Sequence, residues 1–123
     1  IYKGTYWVAE FETQQDVENL TPDFKALQSI EDIDFLVITA PSDQNDIDFV
    51  SRFFCPKYGI DEDPVTGSAH CILTPFWSNR LNKSSLDALQ ASKRKGYIHC
   101  ESADDRVRLT GQATLYLQGT IYV

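Results

Sequence analysis

The chain has 123 residues and a mass of 14.0 kDa, which suits a single domain spanning residues 1–123. Its 11 basic and 18 acidic side chains give a net charge of −7, which argues against nucleic acid and anionic membrane surfaces as partners. A hydrophobic content of 42% excludes a disordered chain. No apolar run approaches the roughly 20 residues that a membrane-spanning helix needs.

The first residue and the cysteines of the chain suggest what kind of protein it comes from and where that protein is located. The sequence contains no methionine and begins at Ile1, so we expect it to be a piece of a longer protein. Its three cysteines, Cys55, Cys71 and Cys100, form no CxxC pair, and their odd number does not suit a disulfide framework. We therefore expect buried, reduced thiols and a cytoplasmic protein.

The first half of the chain alternates predicted strands and short helices. Residues 5–11 are rich in β-forming side chains and predict a strand. Apolar residues at helical spacing follow. The pair Thr21–Pro22, an N-cap followed by a favoured first helical residue, divides them into two short helices, the second over 22–29. The apolar stretches 33–40 and 48–54 then predict buried strands.

The second half contains one long predicted helix. Residues 56–66, with two prolines, a glycine and three adjacent acids, predict an irregular loop. From Gly67 to Leu81 the apolar residues fall on one helical face, and this helix is apolar enough to be enclosed by other structure, with a bend at Pro75. Strands are predicted at 86–92, 97–101, 106–109 and 113–123. The whole pattern predicts an α+β fold, an antiparallel sheet around one enclosed helix.

The start of the long helix is the candidate binding site. Thr66, Gly67, Ser68 and Ala69 lead into the helix, where the first backbone N–H groups have no intrahelical acceptor and the helix dipole concentrates positive charge. Small side chains there let a ligand approach the backbone. We therefore predict that these four residues bind the carboxylate or phosphate of a small anion.

Asp63, held before the turn by Pro64, would lie beside that anion, where a carboxylate keeps its proton more readily and suits acid–base catalysis. Structural interpretations remain open: a Thr or Ser at a helix start is usually a cap, and three acids before a proline are usually a solvated loop. His70, near the positive helix end, should be neutral at pH 7 and is more often packed than catalytic. Asp61, Glu62, Asp63 and His70 have no recognised metal-ligand spacing, so no metal site is predicted.

The string over 59–70, together with 52–54 before it, resembles the signature of phenazine biosynthesis-like (PhzF-like) proteins, relatives of diaminopimelate epimerase. The resemblance continues through 73–77, 90–96 and 106–111. It implies a two-domain protein with pseudo-twofold symmetry, in which each half is a sheet rolled around a central helix and the active site lies between the halves. This chain would be the C-terminal half.

The resemblance also implies a chemistry. Members of the family that this chain resembles are cofactor-free isomerases or epimerases that move a proton at carbon of a small anionic metabolite. The epimerases use two cysteines, one in each half, and carboxylates replace them in the PhzF-like branch. On this sequence the resemblance assigns the acid–base role in the C-terminal half to Asp63 and substrate positioning to Ser68 with the amides of 67–69, whereas Cys71 matches neither epimerase cysteine.

The second catalytic carboxylate of the family, a Glu, belongs to the N-terminal half. We therefore expect residues 1–123 alone to be inactive. An apolar face left exposed by the lack of that half would favour self-association, and a homodimer could imitate the pseudosymmetric protein. The alternative function is a non-catalytic small-anion binding or assembly module that keeps the same helix start, and a third is a purely structural domain.

Overall fold

The computed structural model describes residues 1–123 and contains one eight-stranded sheet with three α-helices. This architecture confirms the α+β class. The elements in chain order are β1 (Tyr2–Lys3), β2 (Trp7–Glu10), α1 (Gln14–Asn19), α2 (Phe24–Ser29), β3 (Leu36–Pro41), β4 (Phe49–Cys55), a 3₁₀ turn (Pro56–Tyr58), β5 (Ile60–Asp63), α3 (Gly67–Leu81), β6 (Ser85–Gln90), β7 (Gly96–Ala103) and β8 (Arg106–Thr110).

The sheet is mixed, which corrects the expectation of an antiparallel sheet. Its strand order is β1-β2-β3-β4-β6-β7-β8, and β5 pairs with the end of β4. The pairs β2–β3 and β4–β6 are parallel, and all the others are antiparallel. The reason lies in the connections: α1 and α2 return the chain from β2 to β3, and α3 returns it towards β6, so each helical crossover brings the next strand in parallel.

The core lies on both faces of the sheet, and β4 contributes to each. Phe49 and Phe53 point towards α3, whereas Val50 and Phe54 point to the opposite face, which α1 covers. A strand buried on both sides must be apolar at nearly every position, which explains the sequence of β4. The cluster on the α3 side also includes Val8, Val37, Leu73, Trp77, Leu86 and Cys100.

The helix α3 has the predicted bounds, and the described residues cover one of its faces. Its buried residues are Ala69, His70, Leu73, Thr74 and Trp77. The opposite face, which carries Cys71 and Pro75, is exposed. The expectation of buried thiols is therefore wrong for Cys71, whereas Cys55 and Cys100 are buried and all three are free. Burial raises the pKa of Cys100 to about 11, so this thiol stays protonated at neutral pH.

Two local expectations are also wrong. The segment 56–66 is partly regular, because a 3₁₀ turn and β5 occupy it and Gly59 adopts a φ of 80° between them. Pairing with the end of β4 gives the acidic stretch a strand partner that its composition does not suggest. The second helix begins at Phe24 and not at Pro22, because Asp23 is its N-cap and accepts a hydrogen bond from the amide of Ala26.

The C-terminal residues 111–123 form no regular secondary structure, so the strand predicted over 113–123 is not part of this sheet. Every residue from 110 to 123 is exposed. The sheet therefore ends at β8, whose Val107 and Leu109 are half-buried.

Gly96 allows β7 to approach the turn that precedes α3, and its substitution tests that contact. A Cβ atom at this position would lie 2.6 Å from Cγ2 and 2.7 Å from Cβ of Val65. Gly96→Ala must displace the turn, so we expect a loss of about 1–3 kcal/mol in the free energy of unfolding, measured by urea denaturation. Gly111→Ala is the control, since its Cβ meets nothing within 4 Å, and it should stay within about 0.5 kcal/mol of the wild type. Equal midpoints for the two variants would contradict this packing.

Candidate functional site

The candidate site lies where β5 ends and α3 begins. The strand β5 supports Asp63 through its pairing with Phe53 of β4. The chain then turns, and Thr66 forms the N-cap in an extended conformation (φ −118°, ψ 102°) before α3 starts at Gly67. A strand end and a helix start thus bring the sequence-predicted residues to one corner of the fold.

The helix start has no side-chain cap. The amides of Gly67, Ser68 and Ala69 donate no hydrogen bond within the chain, and the first helical bond of α3 runs from the amide of His70 to the carbonyl of Thr66 at 3.4 Å. Gly67 and Ser68 are exposed, whereas the side chain of Ala69 is buried, so Ala69 can offer a ligand only its backbone. Three consecutive donors therefore lie at the positive end of a 15-residue helix.

Asp63 explains why Thr66 does not cap the helix. The Thr66 hydroxyl donates to Oδ2 of Asp63 at 2.5 Å, and this bond directs it away from the amides that a capping hydroxyl would accept from. Asp63 is half-buried and its carboxylate is held at the helix start. The structure thus brings Asp63 and Thr66 into direct contact.

Gln90 holds the turn in place and was missed by the sequence analysis. Its side chain is fully buried; Oε1 accepts from the amide of Thr66 at 2.7 Å, and Nε2 donates to the carbonyl of Asp63 at 2.7 Å and to the Thr66 hydroxyl at 3.2 Å. The Ser92 hydroxyl also donates to the carbonyl of Pro64 at 2.8 Å. The sequence did contain an indication of this role. Gln90 lies on the same face of β6 as the buried Leu86 and Ala88, where an apolar residue is expected and a buried polar side chain needs hydrogen-bond partners.

Tyr6 is a second residue that the sequence analysis missed. Its hydroxyl donates to Oγ of Ser68 at 2.9 Å, and its ring packs against Phe35 and Phe53. Because Tyr6 is the donor, the Ser68 hydroxyl keeps its own proton for another acceptor. No sequence pattern relates these two residues, which lie 62 positions apart.

His70 supports the site from inside the core. The side chain is fully buried, and its Nδ1 lies 2.8 Å from the carbonyl of Thr66, to which it donates. Nε2 has no hydrogen-bond partner. Burial lowers the pKa of His70, while the bond to the Thr66 carbonyl acts weakly in the opposite direction. The expected neutral histidine is thus supported, with burial as the main cause, and the ring packs beside Phe49 without reaching the open side of the site.

The other acids of the loop have different surroundings. Glu62 accepts two hydrogen bonds from Arg52, at 2.7 and 2.9 Å, and Arg52 also donates to the carbonyls of Val17 and Leu20. Arg52 therefore links Glu62 of β5 to the C-terminal end of α1, whereas Asp61 is exposed. No group of three His, Cys, Asp or Glu side chains is placed to hold a metal ion. No helix has the length and hydropathy needed to cross a membrane.

The candidate site is an open surface and not a closed cavity. A cavity of about 640 Å³ lies beside it, lined by Val65 of the turn and by residues of β6 and β7 such as Asp87, Tyr97 and His99. Neither Asp63 nor the amides of 67–69 line this cavity. Any ligand at the helix start would thus be covered on one side only by the described residues.

Comparison with known proteins gives consistent matches. The model of the phenazine biosynthesis-like protein family (PhzC-PhzF) matches residues 4–119. An uncharacterized isomerase of Halalkalibacterium halodurans is 42% identical over 115 residues, which cover 94% of this chain and 43% of the relative. An uncharacterized isomerase of Pseudomonas aeruginosa is 47% identical over 110 residues, covering 89% of this chain and 41% of the relative.

Solved structures agree with this result. The crystal structure of a phenazine biosynthesis protein of the PhzF family from Enterococcus faecalis has a TM-score of 0.89 and 41% identity, covering 99% of this chain and 46% of its own. A putative PhzC/PhzF protein from Clostridium difficile has a TM-score of 0.82 and 42% identity, covering 94% and 44%. The chain therefore spans less than half the length of these relatives.

The two histidines should give the stability opposite dependences on pH. The pKa of His70 is lowered by burial, so the unfolded chain takes up a proton first and stability falls as the pH drops below the unfolded value of 6.5. The pKa of His99 is raised, mainly by its hydrogen bond to the Asp87 side chain, so its stabilisation is complete below 6.5 and is lost as the pH rises through the folded value.

Urea unfolding between about pH 5 and pH 8 measures both effects. Compared with the wild type, His70→Gln should show a weaker rise of the unfolding free energy with pH, and His99→Gln a stronger one. Each variant serves as the control for the other, because the same substitution removes one histidine in each case. Changes of slope in the same direction would contradict the assigned environments.

Proposed function

Because the chain belongs to the phenazine biosynthesis-like (PhzC-PhzF) family, we propose that it is the C-terminal half of an isomerase that moves a proton at carbon of a small anionic metabolite. Two of its relatives are named isomerases, and the chain covers 43% and 41% of their lengths. The observation that carries the proposal is the uncapped start of α3, where three unengaged amides lie beside Asp63.

The helix start binds the anionic group of the substrate. The amides of Gly67, Ser68 and Ala69 donate to a carboxylate, and the positive end of the helix dipole adds to this attraction. Ser68 contributes a further donor, because its oxygen already accepts from Tyr6. The exposed positions of Gly67 and Ser68 leave room for the ligand to approach the backbone.

Asp63 acts as the acid or base on one side of the substrate. The Thr66 hydroxyl and the buried Gln90 fix its position relative to the amides. A proton shift at carbon between opposite sides needs a second group, which the other half of the complete protein supplies. Asp63 does not line the cavity of about 640 Å³, and Gly67 and Ser68 beyond it are exposed. A site of this kind suits completion by a second half, so we expect residues 1–123 alone to be inactive.

We place this half in the arrangement of its family, with α3 as the central helix around which the sheet rolls. The face of α3 that carries Ala69, Leu73 and Trp77 already packs on the sheet. The chemistry requires no cofactor, since acid–base groups alone can transfer the proton. Three free thiols suit a reducing, cytoplasmic location.

Deuterium exchange in the complete protein tests the role of Asp63. Proton NMR in D₂O should detect incorporation of deuterium at an acidic C–H position in a panel of small carboxylic acids. Asp63→Asn should reduce the exchange rate by about 10²- to 10⁴-fold, because it removes the proton acceptor. Asp61→Asn changes the same charge at an exposed position two residues away and should leave the rate near the wild-type value. Exchange at the wild-type rate in Asp63→Asn would remove this residue from the mechanism.

A non-catalytic anion-binding or assembly module is the second candidate, because the three amides could bind an anion without any use of Asp63. Titration of the chain with sodium acetate, followed by ¹H–¹⁵N spectra, should shift the amide signals of 67–69 under either hypothesis. Only the isomerase predicts deuterium uptake by the complete protein. A titration that leaves these three signals unchanged would contradict both and favour a purely structural domain.

A further inference from the structure

The phenol of Tyr6 reaches the start of α3 from a position 62 residues earlier in the chain. Its hydroxyl lies 2.9 Å from Oγ of Ser68, the second residue of that helix. The Ser68 side chain makes this one hydrogen bond within the chain. The state of the Ser68 hydroxyl therefore depends on what Tyr6 does with its own proton.

The chemistry of the two hydroxyls sets the direction of this bond. A phenol is more acidic than an alcohol, and its oxygen lone pair is delocalised into the ring, so it is the better donor and the poorer acceptor. Tyr6 therefore donates and Ser68 accepts. The proton of the Ser68 hydroxyl is then directed away from Tyr6, where it is available to a ligand.

Aromatic packing holds the ring of Tyr6 and thus the position of its hydroxyl. The ring centroid lies 5.1 Å from that of Phe35 and 5.3 Å from that of Phe53. Phe53 is buried, and it is the residue of β4 that pairs with Asp63 of β5. The strand that supports Asp63 therefore also supports Tyr6. Replacement of Tyr6 by phenylalanine keeps the ring and removes only the hydroxyl.

The first turn of α3 then presents only donors to a ligand. The backbone N–H groups of Gly67, Ser68 and Ala69 donate nothing within the chain. The Ser68 hydroxyl is a fourth donor, since its oxygen is already occupied by Tyr6. The oxygens of a carboxylate or phosphate only accept, so they suit this set, whereas the NH₂ of a carboxamide would face a donor.

We propose that Tyr6 is a specificity-determining residue: by donating to Ser68 it makes the helix start a donor-only site, which selects an ionised oxyanion over a neutral carboxamide of the same shape. This inference rests on the proposed function, which places the anionic group of the substrate at the helix start. Selection of this kind comes from the hydrogen bonds that the wrong ligand leaves unmade. Because Tyr6 acts through Ser68, it is a positioning residue.

Titration of the complete protein with sodium acetate and with acetamide measures this selectivity. The two probes have the same shape, and the ¹H–¹⁵N signals of 67–69 report binding at the helix start. In Tyr6→Phe the ratio of the dissociation constants of acetamide and acetate should fall by about three- to tenfold, because the released Ser68 oxygen can accept from the NH₂ group. An unchanged ratio would overturn the proposal, and absence of acetamide binding in both proteins counts as the same result.

Two further variants separate the hydrogen bond from aromatic packing. Tyr58 is exposed and stacks on Phe35 in the same aromatic group, so Tyr58→Phe removes the same atom there and should keep the wild-type ratio. In a Ser68→Ala background, Tyr6→Phe should cause no change of the ratio, because the two residues act through one bond. An equal fall of the ratio with and without the Ser68 hydroxyl would contradict the proposal.

The outcome is separable from the proposed activity. A selectivity that depends on Tyr6, in a protein whose deuterium uptake does not depend on Asp63, would support the inference and count against the isomerase. Loss of uptake in Asp63→Asn, together with an unchanged selectivity in Tyr6→Phe, would do the reverse. Acetate that shifts none of the signals of 67–69 would overturn both the anion site and its specificity.

Discussion

The hydrogen bond from the Thr66 hydroxyl to Asp63 is the interaction on which the candidate site depends. A threonine at an N-cap normally accepts a hydrogen bond from an amide of the first helical turn. Here the hydroxyl is used as a donor to the carboxylate, so one bond both fixes Asp63 and leaves the amides of Gly67, Ser68 and Ala69 unengaged. Gln90 makes this arrangement stable by accepting from the Thr66 amide and donating to its hydroxyl.

Leaving the helix uncapped reduces its stability by about 1 kcal/mol, and the surrounding fold must offset this. The buried bonds of Gln90 and His70 to the turn contribute to the offset, as does the close approach of Gly96 to Val65. These contacts involve buried side chains on the inner side of the turn, whereas Gly67 and Ser68 on the other side are exposed. The site is therefore rigid on its inner side and accessible on its outer side, which suits the binding of a ligand without rearrangement.

The residues of this site that are close in sequence could be predicted, whereas those that the fold brings in from distant positions could not. The bounds of α3 follow from helical periodicity, and Asp63, Thr66 and Ser68 lie within six residues, so a motif could reveal them. Gln90 and Tyr6 could not be assigned in this way, because they reach the turn across 24 and 62 positions. The strand β5 was missed for a similar reason, since its acidic composition favours a loop and only pairing with β4 makes it a strand. The parallel pairs likewise depend on how the crossovers pack.

Two parts of the chain have no partner within it: the amides at the start of α3 and the apolar side chains of the C-terminal segment. They differ in the free energy of their contact with water. Exposed amides at a helix start form hydrogen bonds with water, so their exposure costs little free energy. Exposure of the apolar strip formed by Leu115, Leu117 and Ile121 is unfavourable, and its burial would lower the free energy. Any contact that buries the apolar strip is therefore favourable. Burial of the strip does not use the amides of Gly67, Ser68 and Ala69, which stay unengaged and available to the anion of the proposed function.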